Sequence, residues 1–209
     1  MLLECGLPAE QRLQAHRLIT RAVFEVAAGQ LLDMEAGMNR MSDTDAFKVA
    51  RLKTASYSFV SPMRCGATLA GADDHELAKL EALGNVLGLA FQLSDDLLGV
   101  FGDESVTGKS TLTDLQEGKH TYMMQLAFDL STAAQRHELE QLVGKHDLDA
   151  VQAGTVRKII VDCGAKAKIE HALAEQRQQA ERHISQLAVA EPARGRLLEL
   201  VAFVTRRDR

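Results

Sequence analysis

The sequence holds no tryptophan, two tyrosines, three prolines and three cysteines among its 209 residues. Each scarcity excludes something. Cys5, Cys65 and Cys163 are far apart and odd in number, which argues against a disulfide framework or a thiolate metal site and for small buried side chains in a reducing compartment. Aromatic residues make up 4% of the chain, and Lys and Arg total 24 against 29 Asp and Glu. With no basic block and no aromatic-basic interleaving, no nucleic-acid partner is expected. No apolar run reaches the roughly 18 residues that a membrane span needs. The opening MLLECGLPAEQRLQAHRL is no secretory signal, because Glu4 interrupts a short apolar run, so the expected location is cytoplasmic.

What remains is a chain that is 46% hydrophobic with a formal net charge of −5, enough apolar side chain for one domain over residues 1–209 with a real core. Helix formers dominate, breakers are few and alternating patterns are nearly absent, so the fold class is all-α. A first helix is expected from Pro8 to about Gly37, with Leu13, Leu18, Val23, Val26 and Leu31 as its apolar positions. Ser42 or Asp43 can cap a second, running through Phe47, Leu52 and Phe59 towards Gly71 and bent or interrupted by Pro62. A third begins at Asp73 or Asp74 and ends near Phe101. Apolar on all sides from Leu83 to Leu98, with glycines at 84, 88 and 99, it should be central and closely packed. Residues 102–118 form the one long stretch rich in Gly, Ser, Thr and Asp, and such loops inside domains carry function or stay unordered. Helices follow over 119–130, 132–144 (capped by Ser131), 148–162 (capped by Asp147) and 165–187, with a last one after Pro192.

On the central helix Gln92, Asp95 and Asp96 share one face at spacings i, i+3 and i+4. Adjacent carboxylates in an apolar segment repel each other and are costly to desolvate, and a divalent cation offsets both costs. Mg²⁺ suits them, since it takes oxygen ligands, keeps waters and bridges carboxylates to phosphates. The other reading is that the pair hydrogen-bonds a neighbouring helix. Lys109, after Thr107-Gly108, and Lys119, after Glu117-Gly118, are candidate phosphate contacts beside flexible backbone. A nucleotide-binding P-loop does not fit, because the glycine spacing is wrong and no strand precedes it. Gln30 and Asp33 on the first helix, and Lys53, Thr54 and Tyr57 on the second, are further polar groups that could face the same cavity.

Gly29-Gln30-Leu31-Leu32-Asp33, Lys53-Thr54-Ala55-Ser56-Tyr57 and FQLSDDLLGVFGDESVTGKSTLTDLQEGKHT from Phe91 to Thr121 resemble the successive motifs of trans-isoprenyl diphosphate synthases, the farnesyl, geranylgeranyl and polyprenyl diphosphate synthase family. The resemblance implies an isoprenoid synthase-type helical bundle, usually a homodimer, that joins an allylic diphosphate to isopentenyl diphosphate with Mg²⁺. It implies Asp95 and Asp96 as metal ligands, with Gln92 orienting them. Lys53, Lys109 and Lys119 would hold the allylic diphosphate, Thr54 and Gln30 would offer oxygens to the cationic centre and to proton abstraction, and Asp33 and Tyr57 would line the cavity.

Two departures sharpen the expectation. The family's second acidic motif is commonly DDxxD, whereas its fifth position here is Gly99, so Asp103, two helical turns beyond Asp96, is the candidate replacement. Nothing before Gln30 supplies the family's first aspartate-rich motif, and Asp73-Asp74 reads as a helix cap. The chain therefore resembles the C-terminal portion of a synthase, with the N-terminal helices missing or on another chain. Alone it should be inactive and expose apolar surface where those helices would pack. A non-catalytic partner subunit of a complete synthase is the alternative; a terpene cyclase is disfavoured, because the Asn-Asp…Ser…Glu pattern is absent.

Overall fold

The computed structural model describes residues 4–38, 46–108 and 110–206. Its order is α1 (Ala9–Met38), α2 (Ala46–Ala50), a π-helical stretch (Arg51–Val60), α3 (Ser61–Leu69), α4 (Asp74–Phe101), α5 (Glu104–Thr107), α6 (Thr113–Gln116), α7 (Tyr122–Leu130), α8 (Ala133–Leu142), α9 (Ala150–Asp162), α10 (Ala165–Ser185) and α11 (Glu191–Thr205). The all-α class is as expected, and no strand occurs among the described residues.

Helix α4 is central. Asp73 starts it, its carboxylate accepting the Glu76 N–H at 2.8 Å, with Asp74 and Glu76 in the first turn where negative charge is favoured. It packs against the π stretch, α10, α11, α3 and α7. Leu83, Leu87 and Leu93 are at most 1% exposed, and full burial of each stabilises the fold by about 1.5–3 kcal/mol. Two apolar clusters meet along it. One gathers Leu93, Val100, Leu115, Met123, Val156, Ile160 and Ile169; the other gathers Phe59, Leu83, Leu87, Ile184, Val201 and Val204.

Helix α1 departs from the expected pattern. Leu13, Val23 and Leu31 are 49%, 63% and 67% exposed, and the buried residues are Ala15, Ala22, Gly29 and Ala36. These small residues recur every seven positions, so α1 lies close against its neighbour through a stripe with almost no side chain on it. The exposed apolar side chains were expected of the chain, although not on this element. Ser42 and Asp43 lie outside the described residues. The irregularity assigned to Pro62 falls just before it: the Ser61 N–H reaches back five residues to the Ser56 carbonyl, closing a π turn, and Pro62 then sits in the first turn of α3, where its missing N–H costs nothing.

The later caps shift by one or two residues. Thr132 rather than Ser131, and Asp149 rather than Asp147, start α8 and α9, each in a reciprocal capping box with the glutamine three residues on. Cys5, Cys65 and Cys163 are free thiols and partly exposed rather than buried. The described residues of the stretch over 102–118 include several that are tied down. Glu104 accepts the Thr111 N–H and hydroxyl, both at 2.8 Å, while Arg157 donates to the Val100 carbonyl and to Thr111 Oγ1, both at 2.7 Å. Among the described residues no helix is long and apolar enough to cross a membrane.

The tightest approach to another element's backbone is at Gly88, where a β-carbon would lie 2.4 Å from Ala55 Cα and 2.1 Å from its Cβ. Gly88→Ala should therefore lower stability by about 1–3 kcal/mol or more. Gly154→Ala in α9, where a β-carbon meets nothing within 4 Å, should raise it by about 0.5–1 kcal/mol. Urea unfolding of the two variants measures both.

Candidate functional site

The π stretch and α4 run side by side, and the next polar residues after their closest approach meet. Thr54 Oγ1 donates to Gln92 Oε1 at 3.0 Å, and Gln92 Nε2 donates to Asp96 Oδ1 at 2.9 Å. Gly29 brings α1 equally close to the backbone of Lys53. Four residues on, Asp33 Oδ2 accepts from Lys53 Nζ at 2.6 Å. A cleft with about 450 Å³ of empty space, part of it open to solvent, lies between these elements. Its walls include Asp33, Lys53, Gln92, Leu93, Asp96, Lys119 and His120, with Phe47 and Tyr122 beside them, their rings 4.1 Å apart.

Electrostatics inside the cleft is unbalanced. Asp96 is 2% exposed. Burial pushes its carboxyl up to about 7, with the Asp95 and Asp114 charges adding to the rise while the Gln92 hydrogen bond and Lys119 oppose it. Burial also works against the Lys119 ammonium, yet Asp114, Asp96 and Asp95 outweigh it and hold its pKa above the usual lysine value. Exposed ion pairs contribute about 0–1 kcal/mol, so the Lys53–Asp33 pair, whose side chains are 34% and 22% exposed, fixes orientation more than it stabilises.

A divalent cation fits this donor set in part. Asp96 carries a carboxylate whose ionised form lacks sufficient compensation, and His120 Nδ1 is buried without a hydrogen-bond partner. Among the described residues no three His, Cys, Asp or Glu side chains converge tightly enough to hold an ion by themselves. Mg²⁺ does not require three, since it commonly takes one or two carboxylates with water and phosphate oxygens completing its shell.

Lys53, Asp33, Gln92, Asp96 and Lys119 are thus brought to one cleft, with Thr54 hydrogen-bonded behind Gln92 and Asp95 on the same turn as Asp96. Three of the expected groups are elsewhere. Gln30 is exposed on α1 and does not line the cleft. Tyr57 is 55% exposed and lies one turn further along the π stretch, beside Ile19, Val23 and Val26 of α1. Asp103 does not continue the face of Asp96, because α4 stops at Phe101. It caps α5 instead, its Oδ1 accepting from the Ser105 N–H at 2.8 Å and hydroxyl at 2.6 Å, which hold its carboxyl below the usual range. Lys109 lies outside the described residues.

The chain matches the family profile described as polyprenyl synthetase over residues 1–160. It belongs to the polyprenyl synthetase family. Geranylfarnesyl diphosphate synthase of Aeropyrum pernix is 35% identical over 164 residues, covering 78% of this chain and 50% of that protein. Geranylgeranyl diphosphate synthase of Sulfolobus acidocaldarius is 34% identical over 120 residues, 57% of this chain and 36% of that one. The chain thus spans about half or less of the length of these curated relatives. Among solved structures, geranylgeranyl pyrophosphate synthase of Corynebacterium glutamicum, complexed with isoprenyl diphosphate and magnesium, superposes with a TM-score of 0.88 at 31% identity, over 97% of this chain and 57% of that chain.

Within this polyprenyl synthetase fold, Asp114 pairs with the cleft residue Lys119 and is unassigned by sequence reasoning. Its Oδ2 lies 3.4 Å from Lys119 Nζ, and the Lys119 N–H donates to the Asp114 carbonyl at 3.1 Å across a turn in which Gly118 has φ 62°. The five-residue spacing across Glu117-Gly118 is the local signal that could have found it.

Asp96 also predicts how stability varies with pH. Its folded-state pKa lies above that of the unfolded chain, about 4, so the neutral form favours folding. That contribution is complete below about pH 4 and disappears as pH rises through about 7. In metal-free buffer, unfolding temperatures should fall between pH 5 and pH 8 in the parent protein and fall less in Asp96→Asn, as read by thermal denaturation across that range.

Proposed function

We propose that the protein acts in prenyl-chain elongation, joining an allylic diphosphate to isopentenyl diphosphate, and that these 209 residues form the wall that holds the allylic diphosphate and its Mg²⁺. The observation that carries this reading is the alignment Thr54–Gln92–Asp96 flanked by Lys53 and Lys119 in one cleft. Family membership supports it, as do the relatives' names.

The reaction makes three physical demands. Breaking the allylic C–O bond moves charge onto diphosphate, and Lys53 and Lys119 offer that charge cationic partners in a partly dry site. Asp95 and Asp96 would hold Mg²⁺, which would supply charge neutralisation to the diphosphate oxygens. The allylic cation then needs an apolar surface that keeps water away until the double bond of isopentenyl diphosphate attacks and a proton is lost. The apolar lining includes Phe47, Val49, Leu89, Leu93 and Tyr122. Thr54, behind Gln92, holds that amide in place through its hydroxyl.

The second wall, with the first acidic motif and the isopentenyl diphosphate contacts, is assigned to a segment outside these residues, on the same polypeptide or on another chain. Val23, Phe24, Leu31 and Met34, exposed along α1, are the surface such a segment would cover. Assembly as a homodimer and a cytoplasmic location belong to the same proposal.

Calorimetry with inorganic diphosphate and Mg²⁺ tests the diphosphate half of this reading. Saturable binding is expected, weakened about tenfold or more by Lys53→Ala or Lys119→Ala, in line with the roughly 1.5–3 kcal/mol of a hydrogen bond to a charged group. Absence of binding to the parent chain would favour a non-catalytic partner subunit. The 209-residue protein alone should not extend farnesyl diphosphate with labelled isopentenyl diphosphate. Robust product formation would refute the assignment of the second wall.

A further inference from the structure

Helix α1 meets the π stretch along a stripe that includes Glu25, Gly29 and Asp33, spaced one turn apart. Gly29 lets the backbone touch Leu52 and Lys53, and Asp33 holds the Lys53 ammonium. Glu25 lies outside the cleft. It reaches Ser56 instead, a residue 5% exposed whose hydroxyl donates to Glu25 Oε2. The other carboxylate oxygen, Oε1, accepts from Arg21 Nε at 2.8 Å, one turn back on α1. Burial works against the Glu25 charge, but the Ser56 and Arg21 hydrogen bonds and the Arg21 and Arg51 charges outweigh it and hold the carboxyl below its ordinary value. Glu25 is thus an ionised acceptor set against a buried hydroxyl of another element.

Ser56 is also where the π geometry closes, since its carbonyl accepts the Ser61 N–H. Such geometry is usually confined to a single turn, yet here it runs from Arg51 to Val60. Tertiary contacts must hold a conformation that rare. Ala55 is gripped from the α4 side at Gly88 and Ser56 from the α1 side at Glu25, so two successive residues fix the rotation of the stretch about its axis. Lys53 and Thr54 stand within one turn of that grip. Slipping by one residue would swing their side chains by roughly 100°.

We propose that Glu25 is a positioning residue for the diphosphate site: by holding the Ser56 hydroxyl it keeps the π stretch in the rotation that delivers Lys53 to the cleft. The inference rests on the diphosphate reading of Lys53 given above. Glu25 touches no substrate and acts through Lys53, whereas Lys119 is carried by the turn between α6 and α7 and does not depend on it.

Calorimetry with inorganic diphosphate and Mg²⁺, on variants shown by circular dichroism to be folded, tests the proposal. Glu25→Ala and Ser56→Ala should each weaken diphosphate about fivefold or more, while Glu25→Gln, which keeps an acceptor oxygen for Ser56, should stay within about threefold of the parent. On a Lys119→Ala background the Glu25→Ala loss should persist, and on a Lys53→Ala background it should shrink to less than about twofold. A merely structural role predicts the same loss on both. Should Glu25→Ala fail to fold, the smaller change Ser56→Ala carries the same comparison. Folded Glu25→Ala or Ser56→Ala protein that binds diphosphate like the parent overturns this inference alone, as does an equal loss on the two backgrounds. Parent protein that does not bind diphosphate at all overturns the underlying reading together with it.

Discussion

The distance between two backbones sets what the cleft can be. At Gly88 and Gly84, α4 approaches the π stretch so closely that a β-carbon would collide with Ala55 or Val60, and at Gly29, α1 approaches Lys53 in the same way. One turn beyond each contact, a polar residue reaches across: Gln92 follows Gly88 and meets Thr54, and Asp33 follows Gly29 and meets Lys53. Short side chains such as threonine can hydrogen-bond across a helix interface only where the axes are held this near. The glycines therefore act on the site without touching it, and an added methyl at either contact would separate the pairs that define its walls.

This rigid frame lets charge be placed where water would otherwise relax it. Asp96 is taken out of solvent with the Gln92 amide donating to it, and the ammonium whose charge opposes its neutralisation, on Lys119, is shared with Asp114. Burying an ionised group without full compensation opposes folding, and a surface pair such as Lys53–Asp33 returns too little to offset it. Stability alone gives no reason for this arrangement. Under the proposed function, a ligand that brings both signs, cation and polyanion, would restore balance to each wall on arrival.

Much of the frame was readable in the chain itself, and the failures have a common physical form. Unbroken hydrophobicity around α4 marked it as central, which made Gln92, Asp95 and Asp96 conspicuous, and Asp73 was recognisable as a cap. On α1 periodicity points to the large apolar residues as the packed face, yet hydrophobicity measures area and not closeness. Ala15, Ala22, Gly29 and Ala36 bury the helix because they are small. Asp103 was placed by extending a helical period past the end of α4, and Tyr57 by grouping one turn of residues that the structure spreads along the element. Asp114 escapes a reading by helical period because its pairing with Lys119 runs across a turn at Gly118 and not along a helix.

The hydrogen bond between Thr54 and Gln92 also has a direction. Gln92 gives an N–H to Asp96, so its carbonyl end faces Thr54, and the single hydroxyl proton of Thr54 is spent on that carbonyl. What Thr54 has left to present is lone pairs. The amide thus works as a polarity relay: the hydrogen bond that Asp96 accepts on α4 sets a hydroxyl on the opposite element to receive and not to give.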